Sequence, residues 1–326
     1  MTKRNPRALM QEASERLASA SYCPKKLTAI HAGIAAAASL AVALLTYLLG
    51  IGIDDTAGLG GISSRAALET AQTVLQVAVS ILSPFWALGY ISATIHLARG
   101  QAATPHSLLA GFRRWGAALR LLMLEGLIYC LAAFFTMQFG ASIYAFTPAA
   151  NELVTLLEGI TVTDTSAVYE LLSGLDSSAV MRIFWSMLPF MLLPPVVVVL
   201  LLSYRLRLAQ YVLMDSPRTG ALFAIAVSVR MTRKNCLRLF ALDLRFWWFY
   251  LLEVLVQVVC YGDLLLPIFG VELGVNAVLA SFLFFALAMV CQVGLYVWQK
   301  GRIFTCYALF YDDLLPRQMP EQEQSN

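Results

Sequence analysis

The stretch YRLRLAQYVLMDSPRTGALFAIAVSVRMTRKNCLRLFALDLRFWW, residues 204–248, decides the fold class of the chain. It begins at the polar end of a long apolar segment and passes through the turn-forming residues Asp215, Ser216 and Pro217. A basic amphipathic segment follows, and then a second apolar segment begins. Long apolar segments that alternate with basic connections are typical of a helical protein that crosses a membrane several times.

The composition of the whole chain supports this interpretation. Of the 326 residues, 59% are hydrophobic and only 13% are charged, whereas soluble domains are usually about 25% charged. A spanning helix needs about 20 apolar residues, so we predict an all-α polytopic membrane protein with about six transmembrane helices. They are predicted in residues 27–51, 71–98, 118–146, 183–208, 239–269 and 275–298. The predicted domain covers residues 27–313, between a basic segment 1–26 and a disordered tail 314–326.

The distribution of positive charge predicts the orientation. Lysine and arginine concentrate in the N-terminal segment, in the loops after the second and fourth apolar segments, and in a C-terminal tail that begins near Lys300. The other side has only Arg65 and Arg182. Because cytoplasmic loops carry the excess of Lys and Arg, we expect a cytoplasmic-membrane protein with both termini in the cytoplasm. The first apolar run is long enough to span, so we interpret it as a retained helix rather than a cleaved signal.

Motifs for chemistry are absent from the sequence. It contains no GxSxG, Walker loop, GxGxxG, HExxH or CxxC pattern, and its three histidines are scattered. None of the six cysteines falls in a predicted outer loop, which argues against a disulfide framework or a zinc site. We therefore expect no enzymatic activity, no cofactor and no metal. The net charge of only +3 gives no indication of a nucleic-acid partner.

The connections are more than plain linkers. Residues 105–115 and 217–237 read as basic amphipathic helices, either in the membrane interface beside lipid headgroups or packed beneath the helix bundle. The segments LRLLMLE (119–125) and LRLFALD (237–243) predict a parallel internal repeat about an axis along the membrane normal, with chance matching among leucine-rich segments as the competing explanation. Two short outer helices are predicted at 153–160 and 168–175, and a flexible loop at 54–64.

Ionisable residues inside apolar segments mark the candidate site, because such groups are costly in a bilayer and usually face the bundle interior. The candidates are Glu125, Asp243, Glu253 and Gln257, with Arg120, Arg205, Arg207, Arg238 and Arg245 as candidate ion-pair partners. A structural interpretation makes them ion pairs near the inner interface. A functional interpretation makes them the lining of a polar cavity, with Glu253 as the deepest group and Gln257, water or a ligand as its partner.

Residues 204–249 resemble a bacterial integral-membrane family, domain-of-unknown-function family 975. The residues that carry the resemblance are Tyr211 and the Asp215–Pro217 turn, Ser228 before Arg230 and Met231, then Phe240, Phe246, Trp247 and the late pair Phe310 and Tyr311. That family is similar in turn to the membrane domain attached to some glycerophosphodiester phosphodiesterases. The resemblance implies a polytopic helical protein without an assigned activity, and it supplies no catalytic residues.

Two classes of function remain open at this point. The first is non-enzymatic handling of a lipid or an amphipathic peptide, in transport, immunity or envelope maintenance. The second is a structural or assembly subunit, as a homo-oligomer or beside another membrane protein. A cavity lined by Glu125, Asp243 or Glu253 would favour the first class, and a dry bundle with an exposed apolar face would favour the second.

Overall fold

The structure, a computed structural model, describes residues 4–51, 59–157, 177–216, 219–262 and 277–315. These residues form α1 (Pro6–Ala18), α2 (Pro24–Ile51), α3 (Leu59–Ala98), α4 (Ala110–Arg113), α5 (Trp115–Tyr144), α6 (Pro148–Leu157), α7 (Ser177–Leu206), α8 (Ala209–Asp215), α9 (Ala221–Thr232), α10 (Cys236–Asp243), α11 (Trp247–Cys260), α12 (Ala277–Leu295) and α13 (Gly301–Leu314). Two 3-10 turns lie at Pro105–Leu109 and Leu244–Phe246, and a π-helical turn at Tyr296–Lys300 joins α12 to α13.

The predicted all-α polytopic fold class is confirmed. Within the described ranges, five helical runs are long and apolar enough to cross a membrane: Pro24–Tyr47, Glu69–Ala98, Trp115–Tyr144, Met181–Asp215 and Leu279–Leu314.

The predicted span 239–269 is not among these five. It is divided into α10, a 3-10 turn and the 14-residue α11, and its last residues lie outside the described part of the chain. At 1.5 Å per residue, α11 alone covers about 21 Å, which is less than the roughly 30 Å hydrocarbon core.

Several predicted boundaries need correction. The helix α3 already begins at Leu59, so the predicted loop 54–64 ends earlier than expected. Lys300 and Arg302 belong to the continuous helical run that ends at Leu314 and not to a tail. The first predicted outer helix corresponds to α6, which ends at Leu157, while the second one and the tail 316–326 lie outside the described residues.

The chain forms two compact units. A larger unit contains residues 1–121 and 207–326, and a smaller unit contains residues 122–206. In the smaller unit, a Cβ at Gly140 would lie only 1.9 Å from the carbonyl oxygen of Phe190, so α5 and α7 pack backbone against backbone there. The ring of Tyr144 lies 5.8 Å from that of Phe190, and its hydroxyl lies 3.3 Å from that of Ser186.

In the larger unit, the first basic connection packs closely on α3. Gly89 faces the backbone of Leu108, and Gly111 faces the backbone of Phe85. Leu108 is completely buried, and the ring of Phe112 stacks on that of Phe85 at 5.7 Å. The segment is therefore a 3-10 turn and a single α-turn held against the bundle, rather than one amphipathic helix.

The second basic connection also differs from the prediction of one helix over residues 217–237. It contains α9 and α10, separated by the turn at residues 233–235. The buried face of α9 consists of small or hydroxyl side chains, namely Ala221, Ala224, Ser228 and Thr232. Its larger apolar side chains, Leu222 and Phe223, are exposed.

The two ends of the described chain meet in the larger unit. Arg4 contacts Asp313 at 3.4 Å, and the thiol of Cys306 donates to the carbonyl oxygen of Leu9 at 3.8 Å. Arg238 donates to Asp313 at 2.7 Å and also to the backbone carbonyl of Arg4. The N-terminal helix, α10 and the end of α13 therefore lie together, as expected if both termini are on one side of the membrane.

The two segments behind the predicted repeat differ in local structure. LRLLMLE lies inside α5, which continues for 19 residues beyond Glu125. LRLFALD, in contrast, is almost all of α10, which ends at Asp243 and gives way to a 3-10 turn. The repeat remains a prediction.

Candidate functional site

A cavity of about 700 Å³ opens between α2, α3, α12 and the end of α11. One face of α2 contributes Ser39, Val42, Ala43 and Thr46, whose spacing of three and four residues places them on a single side of the helix. The helix α3 contributes Gln76, Val79 and Ser80. The end of α11 contributes Cys260 and Tyr261, and α12 contributes Ser281, Phe282 and Phe285.

The chemistry of this cavity is amphipathic. Phe282 packs its ring against that of Tyr47 at 5.1 Å, and apolar atoms form most of the lining. Hydroxyl groups such as those of Ser39 and Ser80 interrupt this apolar surface. Its volume lies within the range of about 300–1,000 Å³ that is usual for pockets that bind small molecules. None of the three predicted acids, Glu125, Asp243 and Glu253, lines it.

Glu253 lies on α11, two turns before the part of that helix that reaches the cavity. Its Oε1 accepts a hydrogen bond of 2.8 Å from the hydroxyl of Tyr296, and Nε2 of Gln292 donates to the Tyr296 oxygen at 3.0 Å. Nζ of Lys300 lies 4.0 Å from the centre of the Tyr296 ring. Gln257, the partner that the sequence suggested for Glu253, is exposed. The observed hydrogen-bond partner of Glu253 is Tyr296 instead.

Polar groups continue from Lys300 toward α2 and α3. Nζ of Lys300 lies 5.9 Å from the centre of the Tyr90 ring, and the Tyr90 hydroxyl lies 2.9 Å from Oγ1 of Thr28. Because the Thr28 hydroxyl donates to the carbonyl of Pro24, Tyr90 is the donor to Thr28. The ring of His31 stacks on Tyr90 at 4.4 Å. We call this set the polar lane; it contains Glu253, Tyr296, Lys300, Tyr90, Thr28 and His31.

Two buried polar atoms in or beside the polar lane lack a hydrogen-bond partner among the described residues. They are Nδ1 of His31 and Oε1 of Gln299. A buried polar group without a partner costs about 1–3 kcal/mol, and a bound water or ligand group commonly supplies the bond. The π-helical turn that carries Gln299 is also a feature that is frequent at functional sites.

Asp243 lies at a different place, at the end of α10. Its Oδ2 accepts from Nη1 of Arg207 at 2.5 Å, and its Oδ1 accepts from the Tyr307 hydroxyl. The Tyr250 hydroxyl lies 2.9 Å from that of Tyr307, and the Arg207 guanidinium lies 4.2 Å from the centre of the Tyr307 ring. Of the cations predicted near Asp243, the structure identifies Arg207 as a partner. Both carboxylate oxygens are engaged, which indicates a structural ion pair.

Of the remaining candidates, Arg238, Arg120 and Arg245 join neither cluster through any contact found among the described residues. Arg238 binds Asp313 and the Arg4 backbone, Arg120 is exposed, and Arg245 is half-buried in the 3-10 turn. Glu125 lies in the smaller unit and is buried. Arg205 lies in the same unit and is half-buried. Within the larger unit, the sequence-predicted residues Glu253 and Asp243 thus belong to two different groups rather than to one site.

The described residues hold no cluster of three His, Cys, Asp or Glu side chains that could bind a metal ion. No disulfide joins any two of the six cysteines, all of which lie in the described ranges.

The comparison with known families decides what kind of protein this is. The family model described as "Protein of unknown function (DUF975)" matches residues 37–318. The chain belongs to this family. The match begins inside α2 and covers the cavity, the Asp243 ion pair and most of the polar lane, while His31 and Thr28 precede it. No curated protein and no solved structure matches the chain. The similarity to the glycerophosphodiester phosphodiesterase membrane domain remains a prediction.

The DUF975 assignment and the five long apolar helices make this a multi-pass membrane protein without an assigned activity. Of the six residues of the polar lane, sequence reasoning proposed only Glu253 as a candidate, and it missed Tyr296 and Lys300 on the same helical run. A signal was present, because Gln292, Tyr296 and Lys300 recur at intervals of four and share one helix face.

Proposed function

We propose that this DUF975 protein binds an amphipathic membrane molecule, a lipid or an amphipathic peptide, and handles it without chemical transformation. The observation that carries the proposal is the cavity of about 700 Å³ lined by one face of α2 and by Phe282, Phe285 and several hydroxyl groups. Apolar walls suit an acyl chain or an apolar peptide face, while the hydroxyls and Gln76 can hydrogen-bond to a polar group.

The placement that we propose is the cytoplasmic membrane with both termini in the cytoplasm. The basic segments support it. The described ends of the chain, near Arg4 and Asp313, also lie in contact, as a shared side of the membrane requires.

The experiment is a comparison of two tryptophan substitutions on α2. Ala43→Trp fills the cavity, whereas Ala41→Trp adds the same ring at an exposed position two residues away. The purified full-length variants are released from nanodiscs of phosphatidylethanolamine and phosphatidylglycerol, and bound lipid is counted by native mass spectrometry. A model amphipathic peptide of leucine and lysine is offered in a parallel series.

We expect Ala43→Trp to lose a lipid or peptide that the wild type and Ala41→Trp retain, and the released molecule to be chemically unchanged. Equal retention by all three proteins would contradict binding in the cavity. A modified product would contradict the absence of chemistry.

A second candidate is a structural or assembly subunit that associates with its own copies or with another membrane protein. Large apolar side chains that are exposed on the smaller unit favour it, among them Phe134, Phe135, Leu192 and Leu193. Native mass spectrometry of the same samples tests this candidate directly. Stable oligomers with no dependence on Ala43 would support it over lipid or peptide handling.

A further inference from the structure

A second cavity, of about 450 Å³, lies where α3 ends and where α4 and α8 approach it. Its polar lining comes from Ser92, His96, Arg99, Arg113, Arg114 and Asp215. We call this cavity the basic pocket. It is separate from the cavity on which the proposed function rests, and none of its lining residues is shared with that cavity.

Among the ion pairs of the described residues, Arg99 is the one arginine of the basic pocket that pairs with carboxylates. It forms an ion pair with Asp215 and a second with Asp312 at 2.8 Å. The hydroxyl of Tyr311 donates to the other oxygen of Asp215 at 3.0 Å, which holds that carboxylate in place. The hydrogen bond to Asp215 raises the pKa of Arg99, so this guanidinium is charged at every physiological pH.

Arg114 is held in place by neutral groups. Its Nη1 donates to the backbone carbonyl oxygens of Leu213 at 3.0 Å and Met214 at 3.2 Å, at the end of α8. Those bonds fix the guanidinium with an uncharged acceptor pair, and they leave its other nitrogens available. An arginine presents five N–H donors in a planar fork that matches a phosphate.

Arg113, the residue before Arg114, also lines the basic pocket, and its side chain is exposed. Its side chain has no ion pair with any carboxylate in the described ranges. Among the described residues, the ion pairs at this pocket involve Arg99 alone, so the uncompensated positive charge lies at Arg113 and Arg114.

The position of the basic pocket restricts what can reach it. Two membrane-spanning runs, Glu69–Ala98 and Met181–Asp215, end beside it. The ends of spanning helices lie near the level where acyl chains give way to headgroups. Anionic headgroups attract arginine at this level.

We propose that the basic pocket binds a phosphate group, carried by an anionic membrane lipid or present as free phosphate. Arg113 and Arg114 supply charge-assisted hydrogen bonds to the phosphate oxygens, and Ser92 supplies a hydroxyl donor from α3. The ion pairs of Arg99 keep the wall of the pocket in shape.

Binding is measured with the purified full-length protein and three probes: phosphatidylglycerol, phosphatidylcholine, and inorganic phosphate against chloride at equal ionic strength. Native mass spectrometry counts bound lipid, and thermal unfolding reports stabilisation. The variants are Arg113→Gln, which changes an exposed side chain, and Arg114→Lys, which keeps the charge but loses the fork. The matched control is Arg120→Gln, an exposed arginine two turns along α5 that does not line the pocket.

We expect phosphatidylglycerol to bind more tightly than phosphatidylcholine. Each pocket variant should weaken it about tenfold, or about 1.4 kcal/mol, because each removes a hydrogen bond to a charged group. Arg120→Gln should bind as the wild type does.

The inorganic phosphate series separates the two sources. Competition by inorganic phosphate would assign the site to phosphate in general, and binding of phosphatidylglycerol alone would assign it to the lipid. Equal losses in Arg113→Gln and Arg120→Gln would overturn the proposal, because the effect would then reflect overall charge. Unchanged binding in both pocket variants would overturn it as well.

Discussion

Arg207 and Asp243 are 36 positions apart in sequence, and their side chains meet at 2.5 Å, which joins the turn before α8 to the end of α10. The Asp243 side chain is 11% exposed and that of Arg207 31%. The second oxygen of Asp243 accepts from Tyr307, so α10 and α13 are joined to the start of α8 by one carboxylate. A charge in this environment is tolerated because each of the two carboxylate oxygens accepts a hydrogen bond.

The first prediction concerns this carboxylate. Asp243→Asn should lower the free energy of unfolding by about 3 kcal/mol, since it removes the carboxylate that neutralises the partly buried Arg207 charge. Thermal unfolding of the purified protein in detergent measures the loss. Asp312→Asn is the matched control, because Arg99 keeps Asp215 as a second partner and the pair is more exposed.

The double variant Arg207→Met with Asp243→Leu extends this test. Replacing both members of a buried ion pair with apolar side chains of similar size is often neutral or stabilising. Recovery of the wild-type melting temperature would identify the pair as structural. A double variant that remains as unstable as Asp243→Asn would show that Asp243 contributes through Tyr307 instead.

The second prediction concerns Glu253, whose observed partner is a hydroxyl and not a cation. Glu253→Gln keeps an oxygen that can accept from Tyr296, so we expect a melting temperature close to that of the wild type. Tyr296→Phe removes the donor and should destabilise the wild-type background more than a Glu253→Leu background. A double-mutant cycle over these variants measures the coupling. Strong destabilisation by Glu253→Gln itself would contradict the assigned hydrogen bond.

The sequence predicted the helical membrane class and the buried position of Asp243, because charge is rare in apolar segments and therefore conspicuous. It could not choose among Arg205, Arg207 and Arg245 as the partner. That choice depends on the helical rotation at residues 206–209 and on the 3-10 turn after Asp243, and neither leaves a pattern in the sequence. Leu244, Arg245 and Phe246 include no glycine or proline to mark the interruption.

The partner of Glu253 was missed for a different reason. A search for opposite charges does not consider tyrosine. Its hydroxyl is nevertheless a donor that can supply a hydrogen bond to a carboxylate. The cavity was unpredictable as well, because it depends on which faces of α2, α3 and α12 point at one another. Spacing alone shows that Ser39, Val42 and Thr46 share a face, but not what lies opposite.

The third prediction uses the close approach of α3 and the 3-10 turn Pro105–Leu109. A Cβ at Gly89 would lie 1.7 Å from the carbonyl oxygen of Leu108, which is backbone and cannot rotate away. Gly89→Ala should therefore separate the two elements and destabilise the protein by about 1–3 kcal/mol or more. Gly33→Ala is the control, since nothing lies within 4 Å of a Cβ there. It should be neutral or stabilising by about 0.5–1 kcal/mol through helix propensity.

The fourth prediction tests the orientation through a native thiol. Cys23 is exposed just before α2, and its hydrogen bond with the backbone of Lys26 lowers the pKa of the thiol. A lower pKa increases the thiolate fraction at neutral pH, and the thiolate is the reactive form. With a cytoplasmic N-terminus, a membrane-impermeant maleimide should label Cys23 in inside-out vesicles and leave it unlabelled in intact cells.

Cys23→Ser should lose that label, and labelling should fall as the pH is lowered through the thiol pKa. In a Cys23→Ser background, Asp164→Cys is predicted to behave in the opposite way, since residues 147–181 contain no Lys or Arg and are therefore expected outside. Labelling of Cys23 from outside intact cells would reverse the proposed orientation.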